Sequence, residues 1–167
     1  KACGINFPDK LMIEEKYQLK PSLPFTPGME VSGTITESNS NKFKNGTKVI
    51  AHMRFGGFSE EAIVNEEQIR LIPKNFSFEE AAGFNVTAQT AYVALIEKAN
   101  IQPNNTLLIL GASGGVGIAA IQLASSMGVK VIAICKSKLK QNAAIKAGAT
   151  FAFNYEEMVN KVKEVTA

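Results

Sequence analysis

Residues 106–128 decide the fold, since their sequence, TLLILGASGGVGIAAIQLASSMG, runs from an apolar strand-like stretch through a glycine cluster into a helical pattern. Glycine has no Cβ, so the backbone can turn sharply and bring amide groups at a helix start close to a pyrophosphate. The spacing follows the dinucleotide-binding fingerprint, with Ala112 in place of its first glycine. The pattern predicts a nucleotide-binding turn formed by Ala112, Ser113, Gly114, Gly115 and Val116.

The residues after this turn continue in the order expected for a parallel sheet. Strand-like runs at 130–135 and 150–154 alternate with helical patterns at 139–147 and 156–165. This alternation is typical of one βαβαβ half of a doubly wound α/β fold. A complete dinucleotide-binding domain has a second half, so we expect this domain to be partial.

A membrane-spanning helix is the alternative for residues 106–129, which carry no charge and are long enough to cross a bilayer. The glycine cluster would break such a helix, and strand and turn signals flank the segment. A nucleotide-binding fold is therefore favoured, and no membrane association is expected.

The composition is that of an ordinary globular chain, with 46% hydrophobic and 20% charged residues. A net charge of +3 is too small to indicate nucleic-acid binding. Only Cys3 and Cys135 are present, which excludes a disulfide framework and fits a reducing, cytoplasmic location. The chain opens at Lys1 without a methionine, so we expect the natural N-terminus to lie upstream.

The first part of the chain lacks the alternation of strands and helices. Strands are predicted at 30–37, 48–51, 60–64 and 69–72, with turn residues between them. A helical pattern begins after Ser77, a good N-cap that is followed by Glu79 and Glu80 in the first turn. We predict a mostly β domain over residues 1–86 and a nucleotide-binding domain over residues 87–167.

Short motifs along nearly the whole chain then combine into one set: ACGIN at 2–6, PGME at 27–30, GGF at 56–58, TAY at 90–92, the glycine turn, GA at 148–149 and NY at 154–155. In this order the chain resembles the medium-chain dehydrogenase/reductase superfamily, and more closely its zinc-independent quinone oxidoreductase branch. The resemblance implies a GroES-like domain for the substrate and a Rossmann domain for the nicotinamide cofactor, both partial here.

The comparison also concerns metals. Zinc-dependent relatives have a cysteine where this chain has Asn6 and a histidine where it has Met29, and neither replacement is a good zinc ligand. His52, the only histidine, has no ligand partner at suitable spacing, so we interpret it as structural or surface. We expect no metal site. Without a zinc Lewis acid, hydride addition to a quinone or conjugated double bond is favoured over alcohol oxidation.

The resemblance assigns roles to three polar residues. Asn6 matches the residue that orients the nicotinamide carboxamide or the substrate oxygen, although it can also be a turn-forming asparagine. Tyr17 matches a tyrosine of the substrate pocket whose phenol donates to a carbonyl, or it is an amphipathic core residue. Thr90 matches the threonine that faces the carboxamide, or it bonds its own helix backbone.

The end of the second strand of the nucleotide fold indicates the cofactor. An acidic residue there would favour NADH, but this chain has Lys136. Ser137 can donate a hydrogen bond. Lys140 matches a lysine that pairs with the 2′-phosphate in relatives, and Tyr155 matches a tyrosine that packs beside it. The alternative is a solvated basic helix start.

The sequence thus predicts an NADPH-dependent oxidoreductase that transfers hydride to a quinone or another conjugated carbonyl acceptor. The alternatives are an enal, enone or enoyl-thioester reductase, and a non-catalytic NADPH-binding relative. For the full-length protein the resemblance implies a homodimer.

Overall fold

A computed structural model describes residues 1–166, and the chain divides into two compact units, Lys1–Val86 and Thr87–Ala167. Ala167, the last residue of the predicted second domain, lies outside the described residues. The two units are described separately below.

The first unit contains an antiparallel four-stranded sheet in the order β1-β2-β3-β4. Its strands are β1 (Ala2–Gly4), β2 (Glu30–Thr34), β3 (Lys48–His52) and β4 (Ile69–Leu71), and a 3-10 turn at Glu66–Gln68 precedes β4. Helix α1 (Phe7–Ile13) follows β1, and helix α2 (Phe78–Ala82) packs against β1 and β2.

The core of this unit lies on the central strand β3. Val49 and Ala51, two residues apart on one face of β3, are buried together with Phe43 and Ile69. Ile50, on the opposite face, is buried as well. Burial on both faces explains why residues 49–51 form a continuous apolar run in the middle of β3.

Three of the four predicted strands are present, and the strand predicted at 60–64 is wrong. β2 and β4 end earlier than predicted, whereas β3 runs one residue further, to His52. Ser59 Oγ lies within hydrogen-bonding distance of the Gly56 and Glu61 carbonyls and holds the start of this segment in a turn. Val64 packs against the core without strand pairing, and the Ile63 side chain is fully exposed. The apolar pattern at residues 60–64 therefore reflects partial burial of the Val64 side chain and not a strand of the sheet.

The helix start predicted at Ser77 is confirmed. Ser77 Oγ accepts a hydrogen bond from Glu80 N at 3.1 Å, and the Glu80 carboxylate accepts one from Ser77 N at 2.8 Å. This reciprocal pair is a capping box, and it fixes the N-terminus of α2. The helix ends at Gly83.

Helix α3 (Asn85–Tyr92) starts at the end of the first unit and continues into the second, where a π-helical stretch at Val93–Lys98 follows it. It continues as β5 (Thr106–Leu110), α4 (Gly115–Ser126), β6 (Lys130–Ile134), α5 (Lys138–Lys146), β7 (Phe151–Phe153) and α6 (Met158–Thr166). The strands pair in parallel in the order β5-β6-β7, which confirms the predicted alternation.

The core of the second unit is formed by β6 and the helix that precedes it. Val131 and Ala133 of β6 are fully buried, as are Ile121 and Ala124 of α4. Within residues 1–166, no helix is long and apolar enough to cross a membrane. In the uncharged segment, residues 106–110 form a strand and α4 has only 12 residues.

Candidate cofactor and substrate site

The glycine turn lies between β5 and α4, where the fingerprint predicts it. Gly114 is the N-cap of α4, and Gly114, Gly115 and Val116 are exposed. The first amides of a helix have no partner inside the helix, so this turn presents N–H groups and the positive helix end to solvent. These features suit a pyrophosphate.

The alanine in the fingerprint is compatible with this turn. Ala112 is fully buried and belongs to the core of the second unit, so its methyl group points away from solvent. The constraint instead falls on Gly117, where a Cβ would lie 2.6 Å from the Ala112 carbonyl oxygen. Only glycine allows α4 to start this close to the turn.

Tyr155 lies beside the same turn. Its hydroxyl accepts a hydrogen bond from Gly111 N at 2.9 Å, across 44 residues of sequence. The phenol ring remains partly exposed. The structure therefore brings Tyr155 to the glycine turn, at the edge of the sheet where β7 ends.

The basic residues cluster after β6. Lys136, Lys138 and Lys140 are all exposed, and none of them forms an ion pair within the described residues. Ser137 is the N-cap of α5 and accepts a hydrogen bond from Lys140 N at 3.4 Å, which leaves its hydroxyl hydrogen for another acceptor. Three cations at a helix N-terminus are repelled by its dipole unless an anion joins them.

Thr90 lies on α3, whose beginning packs against the beginning of α4. A Cβ on Gly115 would approach Thr87 Cγ2 to 2.9 Å, so these two helices are in close contact there. Thr90 is exposed and lies three residues after Thr87, on the same side of α3. Thr90 therefore lies about one helical turn from the residue that approaches Gly115.

In the first unit, Asn6 precedes α1 and contacts β2. Its Nδ2 donates a hydrogen bond to Glu30 Oε1 at 2.9 Å, and its backbone N donates to Asp9 Oδ2 at 2.8 Å. The second oxygen of Asp9 accepts from Gly28 N at 3.0 Å. Asn6 is therefore held from both its backbone and its side chain.

Tyr17 is half-buried after α1 and lines an open cavity of about 360 Å³. The other lining residues are Gln18, Leu19, Met29, His52 and Arg54. None of these described residues is a carboxylate, and the charged group among them is the exposed Arg54 guanidinium. Asn6 is the N-cap of α1 and is not among the lining residues, whereas Tyr17 follows the C-terminal end of the same helix.

Cys3 lies beside Glu30 in a hydrogen-bonded position. Its Sγ donates to the Glu30 carbonyl at 3.1 Å. Burial, with the negative charges of Asp9 and Glu30 adding to it, raises the pKa of the Cys3 thiol to about 11. The thiol stays protonated at neutral pH and is a poor nucleophile.

Sequence reasoning missed Arg54, did not assign Glu30 a catalytic role, and interpreted His52, which lines the cavity, as structural or surface. Glu30 pairs with His52 in the register of β2 and β3, which a strand prediction alone does not give.

No group of three or more His, Cys, Asp or Glu residues within 1–166 is arranged to hold a metal ion.

Comparisons with known proteins agree with this geometry. The family described as "Alcohol dehydrogenase GroES-like domain" matches residues 1–102, and that described as "Zinc-binding dehydrogenase" matches residues 115–167. The chain is 41% identical to the quinone oxidoreductase-like protein 2 homolog of Nematostella vectensis, over 99% of the chain and 47% of that protein. The chain thus spans about half the length of the curated relatives it matches.

Solved structures show the same similarity. The Escherichia coli quinone oxidoreductase complexed with NADPH matches with a TM-score of 0.89 and 34% identity, over 99% of this chain and 52% of that chain. The CurK enoyl reductase matches with a TM-score of 0.86 and 28% identity, over 98% of this chain and 53% of that chain.

Proposed function

Because the chain belongs to the quinone oxidoreductase branch of the medium-chain dehydrogenase/reductase superfamily, we propose that the complete protein uses NADPH to reduce a quinone or another conjugated carbonyl acceptor. The observation that carries this proposal is the exposed glycine turn together with three exposed lysines after the next strand. These two features offer amides for a pyrophosphate and cations for a 2′-phosphate.

The residues of the second unit fit this cofactor. Amides of residues 113, 115 and 116 would hold the pyrophosphate, since Gly114 N already donates to the Gly111 carbonyl at 3.0 Å. Lys136, Ser137 and Lys140 would hold the 2′-phosphate. Tyr155, fixed on Gly111, would pack beside the bound nucleotide. When bound, NADPH supplies the hydride for the reaction.

Polar side chains would orient the reacting groups. Asn6 and Thr90 would hold the nicotinamide carboxamide, which limits rotation of the ring. The Tyr17 hydroxyl would donate a hydrogen bond to the acceptor oxygen, which gains negative charge as hydride arrives. The quinone acceptor gains this hydride and one proton from solvent and becomes the hydroquinone.

We propose that the reaction proceeds without zinc, in the cytoplasm, and in a homodimer of the complete protein. Asn6 and Met29 are poor zinc ligands, and an amide–thioether pair offers no site for a Lewis acid. Two free cysteines fit a reducing compartment. The homodimer rests on the family resemblance alone.

The test is NADPH oxidation by the complete protein with a matched panel of quinones, enones and enoyl thioesters. We expect the highest kcat/KM with quinones, and Tyr17→Phe should lower kcat while leaving NADPH affinity unchanged. A preference for enoyl thioesters would favour the function of the CurK neighbour instead. NADPH binding without turnover of any acceptor would indicate a non-catalytic binding protein.

A further inference from the structure

Glu30 is a buried carboxylate with a specific partner in the candidate site. It is 1% exposed, and no lysine, arginine or histidine within residues 1–166 forms an ion pair with it. One oxygen accepts from Asn6 Nδ2 at 2.9 Å, and the other accepts from Val86 N at 2.8 Å. Each carboxylate oxygen thus has its own donor.

This arrangement fixes which way the Asn6 amide faces. A carboxylate can only accept hydrogen bonds, so the Asn6 NH₂ group must face Glu30. The Asn6 carbonyl oxygen, on the other side of the same planar amide, must then face away from Glu30, towards the first turn of α1. Asp9 N donates there to the Asn6 backbone carbonyl at 3.1 Å, and the Asn6 side chain itself makes no cap hydrogen bond. The group that Asn6 offers to a ligand is therefore an acceptor.

The surroundings prevent Glu30 from moving to another partner. A Cβ on Gly4 would collide with the Glu30 side chain and would lie 2.5 Å from the Ala82 carbonyl oxygen. Gly4 pairs with Glu30 in the register of β1 and β2, so the carboxylate is enclosed by the strand and α2. Only a residue without a side chain at position 4 leaves room for it.

We propose that Glu30 is a positioning residue, which holds Asn6 so that its carbonyl oxygen accepts a hydrogen bond from the NH₂ of the nicotinamide carboxamide. This inference rests on the proposed function, because it names the ligand of Asn6. In this role Glu30 itself contacts neither cofactor nor substrate. It selects which of the two ends of the Asn6 amide faces the ligand.

The isosteric variant Glu30→Gln separates this role from simple packing. Val86 N–H still needs an acceptor, so the oxygen of the introduced glutamine must face it, and the glutamine NH₂ must then face Asn6. Asn6 has to turn over to offer its own oxygen to that NH₂, and the Asn6 NH₂ becomes the outward group. A donor then faces the donor of the carboxamide.

Binding to the complete protein tests the proposal. Glu30→Gln should weaken NADPH binding about tenfold, which corresponds to one hydrogen bond. The matched probe is 2′-phospho-ADP-ribose, which lacks nicotinamide and should bind the variant as tightly as the unsubstituted protein. Equal NADPH affinity in both proteins, or an equal loss for the probe, would overturn the proposal.

Asn6→Asp provides the rescue. With Glu30 present it places two carboxylates together, and we expect a lower melting temperature at neutral pH that recovers as acid protonates the pair. When Asn6→Asp is combined with Glu30→Gln, the introduced glutamine donates to the introduced aspartate, and an oxygen again faces outward. The double variant should therefore be more stable than Asn6→Asp and should bind NADPH more tightly than Glu30→Gln.

The two readouts distinguish failure of this inference from failure of the proposed function. Additive melting temperatures in the double variant would show that Glu30 and Asn6 are not coupled, and would overturn the inference whatever the cofactor. Absence of NADPH binding by the unsubstituted protein would overturn the proposed function and with it the ligand assigned to Asn6. A coupled stability cycle would then support orientation of the amide by Glu30 alone.

Discussion

Cofactor choice is the property for which the structure gives the most direct perturbation. Lys136 and Lys140 are exposed at the start of α5 and form no ion pair within the described residues, so replacing them breaks no salt bridge there. A 2′-phosphate would gain one or two charge-assisted hydrogen bonds from them. At about 1.5–3 kcal/mol for each, reduced by solvent at an exposed site, the preference for NADPH over NADH should be about 2–4 kcal/mol.

That free energy corresponds to a ratio of affinities between about 30 and 1000. We expect Lys136→Asp with Lys140→Ala to remove most of this ratio in the complete protein, mainly by weakening NADPH binding. Calorimetric titration with NADPH and NADH, each at low and high salt, measures it. The NADPH preference of the unsubstituted protein should fall with salt, and the residual preference of the variant should depend on salt less.

Lys138→Ala is the matched control, because Lys138 has the same charge and exposure in the same segment but no assigned contact. We expect it to change the ratio only through the general field, by much less than the double variant. Equal affinity of the unsubstituted protein for NADPH and NADH would refute the assignment of the lysines. If Lys138→Ala had an effect as large as that of the double variant, the preference for NADPH would come from the general positive charge of this surface and not from Lys136 and Lys140.

Three further outcomes are expected. Gly117→Ala should lower the free energy of unfolding by about 1–3 kcal/mol in urea titrations, because its methyl would meet the Ala112 backbone, whereas Gly114→Ala, with its nearest contact at 3.5 Å, should cost less. Alkylation of Cys3, followed by peptide mass spectrometry with buried Cys135 as reference, should accelerate as pH rises towards about 11. Since the folded state holds this proton more tightly, the thiol's contribution to stability is present below the ordinary thiol pKa and is lost as pH rises through about 11; a reaction that levels off near pH ~8.5 would contradict this. Exhaustive chelation should leave the melting temperature and NADPH affinity unchanged, and stoichiometric zinc in elemental analysis would disprove it.

Local signals made the second unit predictable from sequence. The glycine turn, the apolar strands and the helical periodicity each act over fewer than about 20 residues, and neighbouring elements in a βαβ unit are joined directly. The capping box at Ser77 was predictable for the same reason, because both of its hydrogen bonds join residues three positions apart. The strand prediction at residues 60–64 failed because the same local pattern can come from a strand or from a loop that packs one side chain against the core.

Contacts between distant residues account for what the sequence did not reveal. The hydrogen bond from Asn6 to Glu30 crosses 24 residues, and that from Gly111 to Tyr155 crosses 44. The acceptor residues Glu30 and Tyr155 are of types that are not unusual at their positions, and a glutamate in a strand more often faces solvent. Tyr155 was predicted from the resemblance, but its partner depends on where β7 ends relative to β5, which periodicity does not fix.

Buried carboxylates explain why separate motifs of the first unit form a single structure. Asp9 joins the ACGIN and PGME motifs by accepting from the backbone of Asn6 and Gly28, and Glu30 joins them again while also accepting from Val86 N. Removing either carboxylate would leave buried donors unpaired, at a cost of about 1–3 kcal/mol for each donor. Because the partners of Asp9 and Glu30 are N–H groups and not cations, an amide can replace the carboxylate in shape but not in polarity. The polarity of these two side chains, more than their charge, therefore determines how Asn6 is presented to a ligand.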